Sequence, residues 1–448
     1  MNFKDTLLWL ETYKKKSGFL ITELNSKTDV YLELKENSDC FIFPVNVTSP
    51  FYKKIFNDTS RFLISDNEMR IEVNNYNLES GKDFLHKHFK AYIFQSEFFD
   101  KEDKYLYRLL CPIQSSFYIL NLNSEHSDKL ELKFDDANLN VFTSSSDNEN
   151  YLVLESNNML LYREFIHLAN STLFVLGFLS GNLIKGEELV FQTKDKSWKE
   201  CNGFFRRKLK KSIKCYQPIT STPTQYSNFI KDKNYNYKQK ISYLEQNKIG
   251  EFVGLVVKNS NFFLALKLLL EIWNNSFVNR PSTLYVVLEI IVDEIVKGKS
   301  KTFIEKLLVK EKSLEILNKY EAVFDTKDFN FLNDAIGEID KKLTQNNKKY
   351  EEAFKILEIQ LNIEDKKCLN KRNQFFHGRV VPKNILINNE DDYVNLELEY
   401  YSLTQRLFTL ISKLILKKVN YSGYVINHPK MREEQSKKSF NEEYFVNI

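Results

Sequence analysis

Leu284-Tyr-Val-Val-Leu-Glu-Ile-Ile-Val-Asp-Glu-Ile-Val296 has apolar residues at 284, 287, 288, 291, 292 and 295, which predicts a helix with a face in a core. Its acids Glu289 and Asp293 lie four apart, on one face of that helix. Similar spacing recurs in Leu255–Trp273, Thr302–Leu317, Phe329–Leu343, Tyr350–Leu361 and Leu396–Lys418. A further helix ends near His377, before a loop with Pro382. Six or seven helices with short connections predict an antiparallel bundle.

Upstream the period changes. From roughly Gly18 to Ser156, short runs alternate in steps of two: Val30–Leu34, Cys40–Val45, Phe117–Leu122 and Tyr151–Glu155, separated by Asn, Asp and Ser clusters. Those are strands joined by polar turns, in a half-buried antiparallel sheet or sandwich. A helix follows at about 158–180, with Gly181 placed to stop it in the left-handed conformation. Leu189-Val-Phe191 reads as a final strand, and His167 as a core residue of the helix. The whole is an α+β protein. Residues 1–215 form a strand-rich N-terminal domain, 216–236 a linker, 237–428 a helical bundle, and 429–448 a charged, frayed tail.

Composition narrows the function classes. The chain has 448 residues, enough for two or three cores, and a net charge of only +4. Nucleic-acid affinity must therefore come from local clusters. The five cysteines are odd in number and not at metal-ligand spacing, which argues against a disulfide framework and for a reducing, cytoplasmic setting. The N-terminus lacks the apolar stretch of a signal peptide, and no apolar run approaches a membrane span of about 20 residues. There is no glycine-rich phosphate loop and no nucleophile elbow. His86 and His88 share one side of a strand but have no third ligand near, so no metal and no cofactor are expected.

The sharpest motif is Arg372-Asn-Gln-Phe-Phe-His377-Gly378, at the end of the penultimate helix of the bundle. An Arg-x4-His pattern alone is short; the Asn after the Arg and the Gly after the His sharpen it. Five residues turn an ideal helix by about 140°. Arg372 and His377 thus do not share a face, and a two-fold dimer would bring two motifs into one cleft.

Arg-Asn-x-x-x-His-Gly at this place resembles the HEPN superfamily, over roughly residues 240–420. A strand-rich region ahead of the bundle is similar in layout to ApeA-like anti-phage abortive-infection proteins, with Phe178-Leu-Ser-Gly181 as a further point of likeness. The resemblance implies a metal-independent endoribonuclease, active as a homodimer, with Arg372, His377 and Asn373 as catalytic residues. The chemistry agrees. An imidazole, with an unperturbed pKa of about 6.5, suits abstraction of the 2′-OH proton. Arg372 suits the phosphorane oxygens, and Asn373 could orient the imidazole or a phosphate oxygen. The products would be a 2′,3′-cyclic phosphate and a 5′-OH. Phe375 and Phe376 are expected to pack the bundle or the dimer seam.

Glu289 and Asp293 are candidate supporting acids for Arg372 or His377. Arg206, Arg207, Lys208, Lys210 and Lys211 belong to a run of six cations without an acid, a candidate RNA-binding stripe. The layout implies that the N-terminal domain senses a phage-derived trigger. Two other readings stand beside this one. The first is a noncatalytic HEPN module that binds another nuclease or nucleotidyltransferase. The second is a ligand-binding N-terminal domain with the helices as a passive dimeriser.

Overall fold

Strand and helix segregate along the chain, as the change of period requires. The computed structural model describes residues 19–23, 26–30, 41–46, 62–65, 70–80, 86–96, 99–113, 129–134, 137–146, 149–184, 187–198, 201–208, 212–220, 230, 235–297, 301–337, 346–372, 375 and 390–448. Side chains are described from Phe99 onward, apart from a few short stretches. The fold is α+β, a strand-rich region followed by a helical one. Its two compact units are Met1–Lys214 and Cys215–Ile448.

In the first unit, twelve of the described strands form one antiparallel sheet. Strands β7 (Leu106–Ile113), β10 (Glu149–Ser156) and β12 (Glu187–Thr193) lie side by side within it. Leu106 to Cys111 are buried without alternation, because both faces of β7 are covered. The outermost strand on that side, β8 (Lys129–Lys133), shows the half-buried pattern instead, with Leu130 and Leu132 in and three polar residues out. Phe117–Leu122 lies outside the described residues.

Helix α1 (Tyr162–Ser180) begins where Glu164 reaches back to accept the N–H of Leu161 at 3.0 Å. Gly181 ends it at φ 70°, in the left-handed region that favours glycine. Phe165, Leu168, Leu173, Phe174, Leu176 and Leu179 are buried, but His167 is exposed. It sits on the solvent stripe of an otherwise apolar helix and is not a core residue.

Leu189–Phe191 is not the last strand. It belongs to β12, which forms a hairpin with β13 (Gly203–Lys208), and that hairpin is inserted between β7 and β6 (His86–Ser96). The basic run therefore begins as an interior strand. Alternation sends Arg206 and Arg207 to opposite faces. Arg207 is already engaged: its Nε and Nη2 donate to Glu188 at 3.1 and 2.6 Å. Of the candidate stripe, Arg206 and Arg207 therefore do not share a face. Lys210 and Lys211 lie outside the described residues, as does the side chain of Lys208.

The second unit is built around α4 (Arg280–Val296). Leu284, Tyr285, Val287, Leu288, Ile291, Val292 and Ile295 are at most 1% exposed. Helices α3 (Ser260–Glu271), α7 (Asn346–Ile356) and α9 (Glu390–Lys418) pack against it. The expected helix Leu255–Trp273 is two helices, α2 (Gln246–Lys258) and α3, because Asn259 caps the second. Its side chain accepts the N–H groups of Asn261 and Phe262 at 3.0 and 3.1 Å. Helices α5 (Lys301–Lys319) and α6 (Thr326–Gly337) pack on each other. Among the described residues no single helix is long and apolar enough to cross a membrane.

Two boundaries differ from expectation. The last twenty residues are not frayed. Helix α10 (His428–Met431) and a strand pair, β15 (Tyr424–Ile426) with β16 (Phe445–Asn447), follow α9. Met431 and Phe445 are buried, and Ser402 to Leu416 of α9 are buried on every side. A segment so rich in charge orders because it brings Glu442 onto Arg406, at 2.8 Å. Nor do residues 216–220 act as a free linker. The Pro218 carbonyl accepts the N–H of Ile426 at 2.8 Å, and Tyr216 stacks on His428 with centroids 4.6 Å apart. Pro218 and its neighbours enter the second core.

His428 is fully buried, and its Nε2–H donates to the Gln217 carbonyl at 2.8 Å. Burial, with the Arg432 charge as a second cause, pushes its pKa from 6.5 down to about 3. The folded state thus resists protonation that the unfolded chain accepts below pH 6.5. Stability is complete above that pH and declines towards pH 3, by about 1.4 kcal/mol per unit. Between pH 7.5 and 5.0 the protein is expected to lose about 2 kcal/mol through this residue. Urea unfolding at the two pH values checks it: His428→Asn should show the smaller loss, and an equal loss in both proteins counts against the assignment.

Candidate active site

Helix α8 (Ile363–Asn370) carries the chain up to Arg372. It starts with a reciprocal cap, in which Asn362 accepts the N–H of Asp365 at 2.8 Å and Asp365 accepts that of Asn362 at 3.3 Å. Its far end is tied to α4 by the Tyr285 hydroxyl, which donates to the Cys368 carbonyl at 2.6 Å. That carbonyl, among the last of the helix, also accepts the N–H of Lys371 at 3.1 Å. Burial pushes the Cys368 thiol up to about 12, so the residue is an inert core thiol and no nucleophile.

Arg372 sits just past this tie. Its Nε donates to Glu289 Oε1 of α4 at 2.7 Å, and its Nη2 reaches the same oxygen. The side chains are 17% and 29% exposed, so the pair is shielded but still open to solvent on one side. Tyr350 of α7, buried, donates its hydroxyl to Glu289 Oε1 at 3.1 Å. Burial raises the Tyr350 phenol above its ordinary range, the Glu289 charge adds to this, and Arg372 works against it. The phenol therefore stays protonated and serves as a donor at any physiological pH. Three elements, α4, α7 and the end of α8, fix one guanidinium.

Phe375, three residues on, is buried between Tyr285 and Tyr400, each ring 5.6 Å away. It anchors the motif to the bundle. Asn373, Phe376, His377 and Gly378 lie outside the described residues. Asp293, the other candidate acid on α4, is paired with Lys349, and its side chain is 56% exposed. Of the two acids on that face, Glu289 is the one that meets Arg372. Among the described residues no group of three or more His, Cys, Asp and Glu side chains is arranged to hold a metal ion; the side chains of His86 and His88 are not among them.

Sequence reasoning missed Tyr350, which it read only as an apolar position at the start of a helix. A Tyr where Leu or Ile would serve was the available signal, since a buried hydroxyl needs a partner.

No known protein family, curated protein or solved structure matches the chain.

Proposed function

We propose that the helical unit is a HEPN-type endoribonuclease in which Arg372 and His377 act on one phosphodiester. The observation that carries the reading is the three-helix mounting of Arg372, the motif's cation. A guanidinium has five N–H donors, so it can serve a carboxylate on one edge and a phosphate oxygen on another. Holding it against Glu289 and Tyr350 fixes its direction before substrate arrives, which is how a charge is made useful to a transition state. His377 would take the 2′-OH proton, and the oxygen would attack the adjacent phosphorus to give a 2′,3′-cyclic phosphate and a 5′-OH end. Asn373 would orient the imidazole or a phosphate oxygen.

In this proposal the protein works as a homodimer, RNA is the substrate, and the N-terminal unit senses a phage-derived trigger in abortive infection. RNA incubated with wild-type protein should be cleaved, alone or with phage lysate, and His377→Ala should abolish both cleavage and toxicity. Intact RNA under both conditions would sink the proposal.

The Arg372–Glu289 pair also favours a second reading. An arginine occupied by an acid is what a structural bundle needs, and a noncatalytic HEPN module would use it so. His377→Ala would then leave the phenotype unchanged.

A further inference from the structure

Exposed apolar side chains are not spread evenly over this chain. Of fourteen large ones among the described residues, seven fall between residues 308 and 331, on α5, α6 and the turn that joins them. Val309, Ile316 and Tyr320 follow one another at spacings of seven and four, along one stripe of α5 and its end. Phe324 and Phe331, seven apart, continue onto α6 in the same way. Ile316 is 61% exposed and Phe331 72%. Scattered exposed apolar residues are ordinary, but a cluster of them marks an interaction surface.

Burial shows which way the stripes point. The inward residues are Ser313, Leu314 and Leu317 on α5, and Phe329, Leu332 and Ile336 on α6. On each helix the exposed stripe trails the inward one by roughly 100°, in the same rotational sense. The two helices pack on each other, and the short connection 320–325 turns the chain back between them. In such an antiparallel pair, equal senses bring both stripes to one side of the hairpin. Taking about 200 Å² for a whole aromatic side chain, Tyr320, Phe324 and Phe331 alone leave roughly 300 Å² open to water. That already matches the largest patch on many monomers, before the four aliphatic residues are added.

Charge selects the occupant. Residues 301–319 hold five lysines and three glutamates, a net charge of +2, whereas 321–337 hold four acids and one lysine, a net charge of −3. The same signs border the stripes. Lys312 and Lys319 stand four before and three after Ile316, while Asp328 and Asp334, against the single Lys327, border Phe331. A second copy of the hairpin offers the matching sign to each helix. With a two-fold axis between the hairpins, α5 of each meets α6 of the other. Pairing like helices would set lysines against lysines.

We infer that the α5–α6 hairpin is an interface between two copies of this chain, with the α5 stripe of one protomer on the α6 stripe of its partner. The hairpin carries neither Arg372 nor His377. The inference therefore does not rest on the nuclease reading, although it names a surface for the self-association which that reading calls for.

Analytical ultracentrifugation of the full chain tests it. Ile316→Glu and Phe331→Glu alter exposed side chains, so each variant should keep the wild-type circular dichroism spectrum while its assembly mass falls to half. The dissociation constant of the contact should rise at least about 100-fold, because a two-fold seam buries the new charge twice. Ile363→Glu, at a residue 74% exposed on α8 and off the hairpin, should leave the mass unchanged. Charge reversal identifies the partner helix. Lys312→Glu with Lys319→Glu should weaken association by at least about tenfold, and adding Asp328→Lys with Asp334→Lys should restore it. A wild type that self-associates through the hairpin and leaves RNA intact keeps the interface and loses only the nuclease reading. A monomeric wild type, hairpin variants of unchanged mass, an equal loss from Ile363→Glu, or a reversal without rescue would overturn the interface.

Discussion

Arg372→Ala is expected to remove RNA cleavage almost completely and to lower stability at the same time. The activity loss should be at least about 100-fold, the size seen when a transition-state donor is deleted. The stability loss should be about 1–3 kcal/mol, because Glu289 is left shielded without its partner while part of it still meets water. Arg372→Lys separates the two effects. An ammonium keeps the charge beside Glu289 but cannot present a planar fork, so most stability should survive and most activity should not. Glu289→Gln and Tyr350→Phe leave the cation in place and loosen its mounting. Each should reduce cleavage by roughly tenfold or less, with a fold intact by circular dichroism. Initial rates on a short RNA, set against urea unfolding, measure both. If Arg372→Ala lowers stability and leaves a wild-type rate, the arginine is a bundle strut and the noncatalytic reading gains.

Arg406→Met is expected to destabilise the helical unit by about 3–5 kcal/mol, as breaking a buried ion pair from one side does. Among the described cations Asp365 would keep the ammonium of Lys413 at 4.0 Å, and Glu442 would lose its guanidinium. Burial lowers the Lys413 pKa, which makes that amine a poor substitute. Neutralising the stranded acids should restore much of the loss. The triple variant Arg406→Met, Asp365→Asn, Glu442→Gln is predicted to be more stable than the single one, although it changes more residues. Equilibrium unfolding decides the order. A single variant within about 1 kcal/mol of wild type would mean that the cluster contributes little to holding the C-terminal segment in place.

The legible parts of the sequence were those in which period alone decides. Leu284–Val296 could only be a helix with a buried face, and Gly181 marks a helix end because a left-handed residue is needed there. Asn259 was legible in retrospect: an Asn-Ser-Asn stretch inside an apolar run caps a new helix more readily than it continues an old one. Other features depend on partners far away in the chain. Nothing near residue 206 says that β13 will be an interior strand, since its neighbours β12 and β6 are chosen by the sheet. The order in 429–448 is equally hidden, because its charges look solvated until Arg406 is known to be buried opposite them. Of the site, Arg372 and Glu289 were readable as types suited to pair. Which of Glu289 and Asp293 would meet the arginine was not readable, because it depends on where α8 ends against α4, one contact of which is the Tyr285 hydroxyl on the Cys368 carbonyl.

The most direct measurement is the chemistry of the ends that purified wild-type protein leaves on RNA, in excess EDTA and after any activation with phage lysate. The account predicts 2′,3′-cyclic phosphate and 5′-OH termini, an intact strand when the ribose at the cut site is 2′-deoxy, and no product from His377→Ala. Cleavage that leaves 5′-phosphate ends, or that proceeds unchanged without the 2′-OH or without His377, would contradict it.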